Sequence, residues 1–156
     1  MVRLKHFRFY FGVLISLVVM LFLSLGGGPW GAERSIGHWT GALFQNVCHQ
    51  NPERSLLFSG VPMAVNSRCF GVFSGLLAGW LLIPALTRLT SKKPWELWLL
   101  LLAVIVQIID YTGNLFQLWE NTNMSRTVLG LFLGMAASMA VFRLFKPINK
   151  KITDHG

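Results

Sequence analysis

The chain has 156 residues, 53% of them hydrophobic and 13% charged, and a formal net charge of +8. That length is one domain's worth, residues 1–156 together, and so apolar a composition excludes an ordinary soluble globule. The basic residues are not gathered into a patch interleaved with exposed aromatics, so the charge makes no case for nucleic-acid binding.

Four runs are long and apolar enough to cross a bilayer, which takes about twenty residues of helix that satisfies its own backbone hydrogen bonds. They cover residues 9–25, 70–89, 95–114 and 127–145. Arg3, Lys5 and Arg8 before the first run also describe a secretory signal peptide. The run is longer than a usual signal core, however, and Gly26-Gly27-Gly28-Pro29 is a poor cleavage site. We therefore read it as a retained first span.

Between the first two spans, residues 26–69 carry most of the polar groups able to do chemistry. Ser35 is placed to cap a helix in which Ile36, Trp39, Leu43 and Val47 recur at amphipathic spacing. Such a helix lies along the membrane surface and delivers Cys48 at its end. Asn51-Pro52-Glu53 then reads as an N-cap followed by proline at the first helical position. Two short helices thus flank the turn Cys48-His49-Gln50.

The second span spaces Gly71, Gly75 and Gly79 four residues apart, and the fourth does the same with Gly130, Gly134 and Ser138. Small residues at that interval line one face and admit a neighbouring backbone, so both stripes are expected to pack against other spans. The third span instead alternates Gln107, Asp110, Asn114, Gln117 and Asn121 by three and four residues. A continuous helix would bring them onto one polar stripe, which must face protein or water. Asp110 lies deeper in a predicted span than any other acidic residue. Its expected positive partner is Arg54, Arg68 or Arg126, serving either as a structural ion pair or as part of a proton or ion relay.

Ten of the fourteen basic residues fall in three segments: Arg3, Lys5 and Arg8; Arg88, Lys92 and Lys93; Arg143, Lys146, Lys150 and Lys151. With four spans these segments share one side, which the positive-inside rule makes cytoplasmic. Both termini are then inside and residues 26–69 and 115–125 outside. Trp30, Trp95, Trp98 and Trp119 fall near span boundaries, where indoles anchor helices.

The order Cys48-His49-Gln50-x-Pro52-Glu53-Arg54-Ser55, then Arg68-Cys69-x-Gly71, Ile109-Asp110, Gln117 and Asn123-x-x-Arg126 with glycines beyond resembles the membrane-protein family DUF2085. The resemblance runs from Cys48 to Gly134 and implies a small multi-span protein of a bacterial or archaeal cytoplasmic membrane. It implies no activity. Relatives carry a Cys-x-Arg-Cys block where this chain has Asn66-Ser67-Arg68-Cys69, so one family cysteine is replaced by Asn66.

Three fates are open to the remaining cysteines. Cys48 and Cys69 on the outer side are an even pair suited to a disulfide. With His49, and with Asp110 completing a tetrahedron, they are a candidate zinc or copper set, although Cys-x20-Cys is no zinc-finger spacing. A redox-active pair is the third reading, with His49 or Arg68 lowering a thiol pKa. No haem-attachment motif, phosphate loop or dinucleotide fingerprint is present.

The expected fold is all-α: a four-span bundle, termini inside, with short outer helices over the Asp110 stripe. A polar cluster of Gln50, Arg54, Arg68, Asp110, Gln117, Asn121 and Arg126 holds that outer end. The expected function is a noncatalytic accessory or assembly subunit of a larger membrane complex, with lipid and other membrane subunits as partners. The alternative is an outer-face metal or thiol redox protein using Cys48, His49 and Cys69.

Overall fold

The computed structural model describes residues 4–27, 36–86 and 95–144. Among the described residues five α-helices form: α1 Leu4–Ser24, α2 Ile36–Phe44, α3 Ser67–Leu86, α4 Trp95–Leu115 and α5 Asn123–Leu144. Arg3, Trp30, Ser35, Arg88, Lys92, Lys93, Lys146, Lys150 and Lys151, on which parts of the topology and capping expectations rest, lie outside the described residues.

The second short helix expected from sequence is a single 3-10 turn, Pro52–Arg54. Asn51 caps it, its Oδ1 accepting from the Glu53 amide at 3.0 Å, with Pro52 where no amide donor is needed. The next segment adds a short hairpin to an otherwise helical fold. Residues β1 Leu57–Phe58 and β2 Val61–Pro62 pair antiparallel, Leu57 opposite Pro62 and Phe58 opposite Val61. Ser59 and Gly60 join them with φ of 52° and 80°. Two successive positive φ angles give the turn whose twist matches antiparallel strands.

Among the described residues, three helices are long and apolar enough to cross a membrane, over Ser67–Ala85, Trp95–Leu115 and Asn123–Val141. The apolar stretch of α1, Arg8–Ser24, is shorter. Among the described residues, three of the four expected spans thus meet the length requirement.

α3 and α5 form the centre of the bundle, and their glycines explain why. A Cβ on Gly71 would collide with the Thr127 carbonyl, and one on Gly75 with the Leu131 carbonyl. On Gly79 it would come within 2.9 Å of both the Met135 carbonyl oxygen and Ser138 Cβ. From the other side, Gly130 abuts the Arg68 carbonyl and Gly134 the Val72 carbonyl. Residue numbers rise together along both helices, so α3 and α5 are parallel. Backbone-to-backbone approach of this kind needs a missing side chain on each helix.

α1 runs antiparallel to α3. At one end the Trp80 indole donates to the Tyr10 carbonyl at 3.1 Å, and the rings stack at 5.6 Å. At the other end the Ala64 amide donates to the Ser24 carbonyl at 3.1 Å. Pro84 inside α3 supplies a further reason for the first contact. Proline has no amide to donate to the carbonyl four residues back, which is that of Trp80. The Tyr10 hydroxyl donates to this carbonyl at 3.3 Å.

α4 packs against α5 and leaves a long apolar face exposed, including Trp98, Leu101, Ile105, Ile108 and Ile109. Below α2, Phe44, Cys48, Ala64, Val65 and Phe73 form a compact buried cluster. The other face of α2 and the turn after it expose Trp39, Leu43 and Val47, as an interfacial helix requires.

Candidate functional site

The polar groups meet at one end of the bundle, where α3 and α5 begin and α4 ends. Ser67, the first residue of α3, is fully buried. Its hydroxyl donates to the Arg54 carbonyl at 2.8 Å and lies 3.3 Å from Asn123 Oδ1. Asn123, the first residue of α5, donates through Nδ2 to the carbonyls of Glu53 and Ser55, each at 3.2 Å. Two helix starts are thereby tied to the 51–55 turn by side chains that satisfy loop carbonyls.

Asp110 is buried on α4 and forms an ion pair with Arg68 through Oδ2 and Nη2. The same carboxylate oxygen accepts from Asn121 Nδ2 at 2.8 Å. Of the three arginines considered for Asp110, the structure gives Arg68 that position. Arg126 Nη1 instead reaches Asn123 Oδ1 at 3.5 Å, and the Arg54 side chain is exposed. Arg68 and Asp110 retain only 29% and 11% side-chain exposure, enough shielding for the attraction to exceed that of a surface pair.

The continuous stripe expected from Gln107 to Asn121 is interrupted. α4 stops at Leu115, and Gln117 adopts φ 55°. The Gln117 amide donates to the Asn114 carbonyl at 3.2 Å and the Leu118 amide to the Gly113 carbonyl at 2.9 Å. This pair of bonds around a left-handed residue terminates helices. Gln117 is therefore exposed and apart from the cluster, whereas Asn121 returns to Asp110 only because the chain reverses. Gly113 makes the reversal possible, since any Cβ there would enter the Trp119 ring. Asn114 donates to the Trp119 carbonyl at 3.2 Å, and Gln107 Nε2 is buried without a hydrogen-bond partner.

Cys48 is buried, and its sulfur accepts from the Asn66 amide at 3.1 Å. The Cys69 thiol lies in hydrogen-bonding reach of the Cys48 thiol, and both cysteines are free. Gln50, at φ 44°, turns its side chain back to donate to the Gly41 carbonyl, closing the Cys48-His49-Gln50 turn onto α2. This geometry does not assemble the expected metal set. Among the described residues no three of His, Cys, Asp and Glu are grouped to hold an ion. His49 points into the open, and Asp110 is engaged by Arg68 and Asn121, which leaves the two thiols without further ligands.

Ser55, Ser67 and Asn123, named above only as motif positions and not as site residues, join the elements. For Ser67 and Asn123 the signal was capping chemistry, a serine or asparagine at the start of an apolar run. Asn66 Oδ1 accepts from the Ser55 hydroxyl at 3.4 Å.

The segment containing this cap and the α3–α5 pair, residues 48–140, matches the sequence profile of a family described as predicted membrane protein (DUF2085). The chain belongs to the DUF2085 family. An uncharacterized protein of Methanocaldococcus jannaschii is 31% identical over 146 residues, covering 88% of this chain and 93% of the relative. An uncharacterized protein of Methanothermobacter thermautotrophicus is 33% identical over 99 residues, covering 62% of this chain and 85% of its own length. No solved structure matches. DUF2085 membership agrees with three apolar helices of bilayer length and with archaeal relatives.

Proposed function

We propose that the protein is a noncatalytic accessory or assembly subunit of a larger complex in a bacterial or archaeal cytoplasmic membrane. The observation that carries this reading is the engagement of the cap's polar groups with one another. Asp110 is held by Arg68 and Asn121, Asn123 by the 53–55 carbonyls, and Gln50 by Gly41. A reaction site needs a positioned acid, base or nucleophile free to meet substrate, whereas these side chains clasp structural elements. The exposed apolar length of α4 is the surface such a subunit offers to lipid or to neighbouring helices.

In this reading α1 is a fourth span, both termini are cytoplasmic and residues 26–69 lie outside. Support comes from the antiparallel course of α1 beside α3: from Tyr10 to Ser24 it rises about 21 Å at the α-helical rise per residue. The basic segments at both ends and in the 88–93 loop supply the orientation. Purification of the tagged protein from its native membranes in mild detergent tests the assignment. Other membrane chains should co-purify in fixed proportion; a monodisperse free protein would contradict it.

The adjoining thiols of Cys48 and Cys69 favour a second reading, a reversible disulfide on the outer side. Joining them releases two electrons and two protons, accepted by a membrane quinone or a partner disulfide. Thiol trapping in cells should find both states interconverting; a pair locked in one state would reject this role.

A further inference from the structure

We infer that the cap end of the α3–α5 pair binds a phosphate-type oxyanion between Arg54, Arg68 and Arg126. This site goes beyond the accessory role and does not depend on it. Its basis is a local excess of positive charge with unpaired donors. Arg68 and Arg126 occupy the first turns of two parallel, closely packed helices, so both guanidinium groups originate at the same end. The Ser67 bond to the Arg54 carbonyl brings the third arginine to that end, and Asn123 Oδ1 connects Ser67 with Arg126. Arg54, Arg68 and Asp110 all lie within electrostatic reach of Arg126.

Of these three cations Arg68 is paired with Asp110, whose Oδ2 also holds Asn121. Among the described residues Arg54 and Arg126 form no ion pair. The Arg68 Nε is buried with no acceptor at all. Neither α3 nor α5 has an acidic residue in its first turn, so the positive ends of two helix dipoles add to the same field. Like charges held together at the edge of a low-dielectric region repel strongly unless an anion joins them.

The accessible Arg54 and Arg126 guanidinium groups carry only donors, which selects an anion. Guanidinium forks match the paired oxygens of phosphate. Arg54 is exposed and Arg126 partly so, leaving the site open to a ligand. At this depth the oxyanion comes from a lipid headgroup or from free phosphate.

Native mass spectrometry and thermal unfolding of the full chain in non-ionic detergent test the site, with three probes. These are inorganic phosphate, a lipid with a phosphoglycerol headgroup, and a phosphocholine lipid as zwitterionic control. Saturable stabilisation by inorganic phosphate identifies a soluble anion. A phosphoglycerol lipid retained one to one, with no phosphate effect, identifies a headgroup. In either case Arg54→Gln and Arg126→Gln should weaken binding about tenfold each, as loss of a charge-assisted hydrogen bond does, while Arg126→Lys retains most of it. Arg54→Gln alters an exposed side chain and keeps the test valid if Arg126→Gln does not fold. Absence of saturable binding by either anion, or binding unchanged in Arg54→Gln and Arg126→Gln, or phosphocholine lipid held as tightly as phosphoglycerol lipid, would overturn the inference.

Discussion

Pro84 leaves the Trp80 carbonyl without its helical donor, and Tyr10 supplies one from another helix while stacking on the Trp80 ring. Tyr10→Phe keeps the ring and removes the hydroxyl, so it should lower stability by about 1 kcal/mol, read by thermal unfolding in detergent. A proline within an apolar run announces a freed carbonyl; which side chain fills it depends on helix packing that no local pattern contains. Asp110 shows the same division. A carboxylate in an apolar run demands a partner, and three candidate arginines were legible, but the choice of Arg68 follows from where α3 begins beside α4. Gln117 was misread because a three-four alternation continues through a helix end, whereas its positive φ and the two bonds around it stop α4 at Leu115.

Among the elements, the α3–α5 pair depends most on single atoms. Gly75 and Gly134 each sit against a carbonyl of the opposite helix, so even one methyl group forces the axes apart. Gly75→Ala should destabilise the fold by about 1–3 kcal/mol, and Gly75→Leu by more; Gly12→Ala, where nothing lies within 4 Å, is the neutral control. Denaturant titration in micelles measures the series. The four-residue glycine interval was visible in the sequence because it repeats on one helix face, yet it could not say that the two stripes would meet each other in parallel. The hairpin escaped notice for a different reason. Its strands are two residues each, too short for any alternation, and only Ser59-Gly60 marked the turn.

For the whole molecule, the account is a membrane bundle whose polar end is a clasp. The proposed orientation predicts that, with Cys48 and Cys69 changed to serine, Ser59→Cys reacts with a membrane-impermeant maleimide in intact cells and Lys92→Cys only after permeabilisation; the reverse pattern would reject the topology. The mostly helical, membrane-spanning architecture was legible because long apolar runs are global features of the chain. The clasp was legible only as a set of residue types, since its bonds link positions as distant as Glu53 and Asn123. The central claim is that Asp110 works as a structural partner of Arg68. A double-mutant cycle of Asp110→Asn and Arg68→Gln, followed by unfolding of the detergent-solubilised protein, tests it most directly. Each single variant should lose about 1.5–3 kcal/mol and the double variant less than their sum, with a coupling of about 1–3 kcal/mol; strictly additive losses, or single variants as stable as the parent, would contradict it.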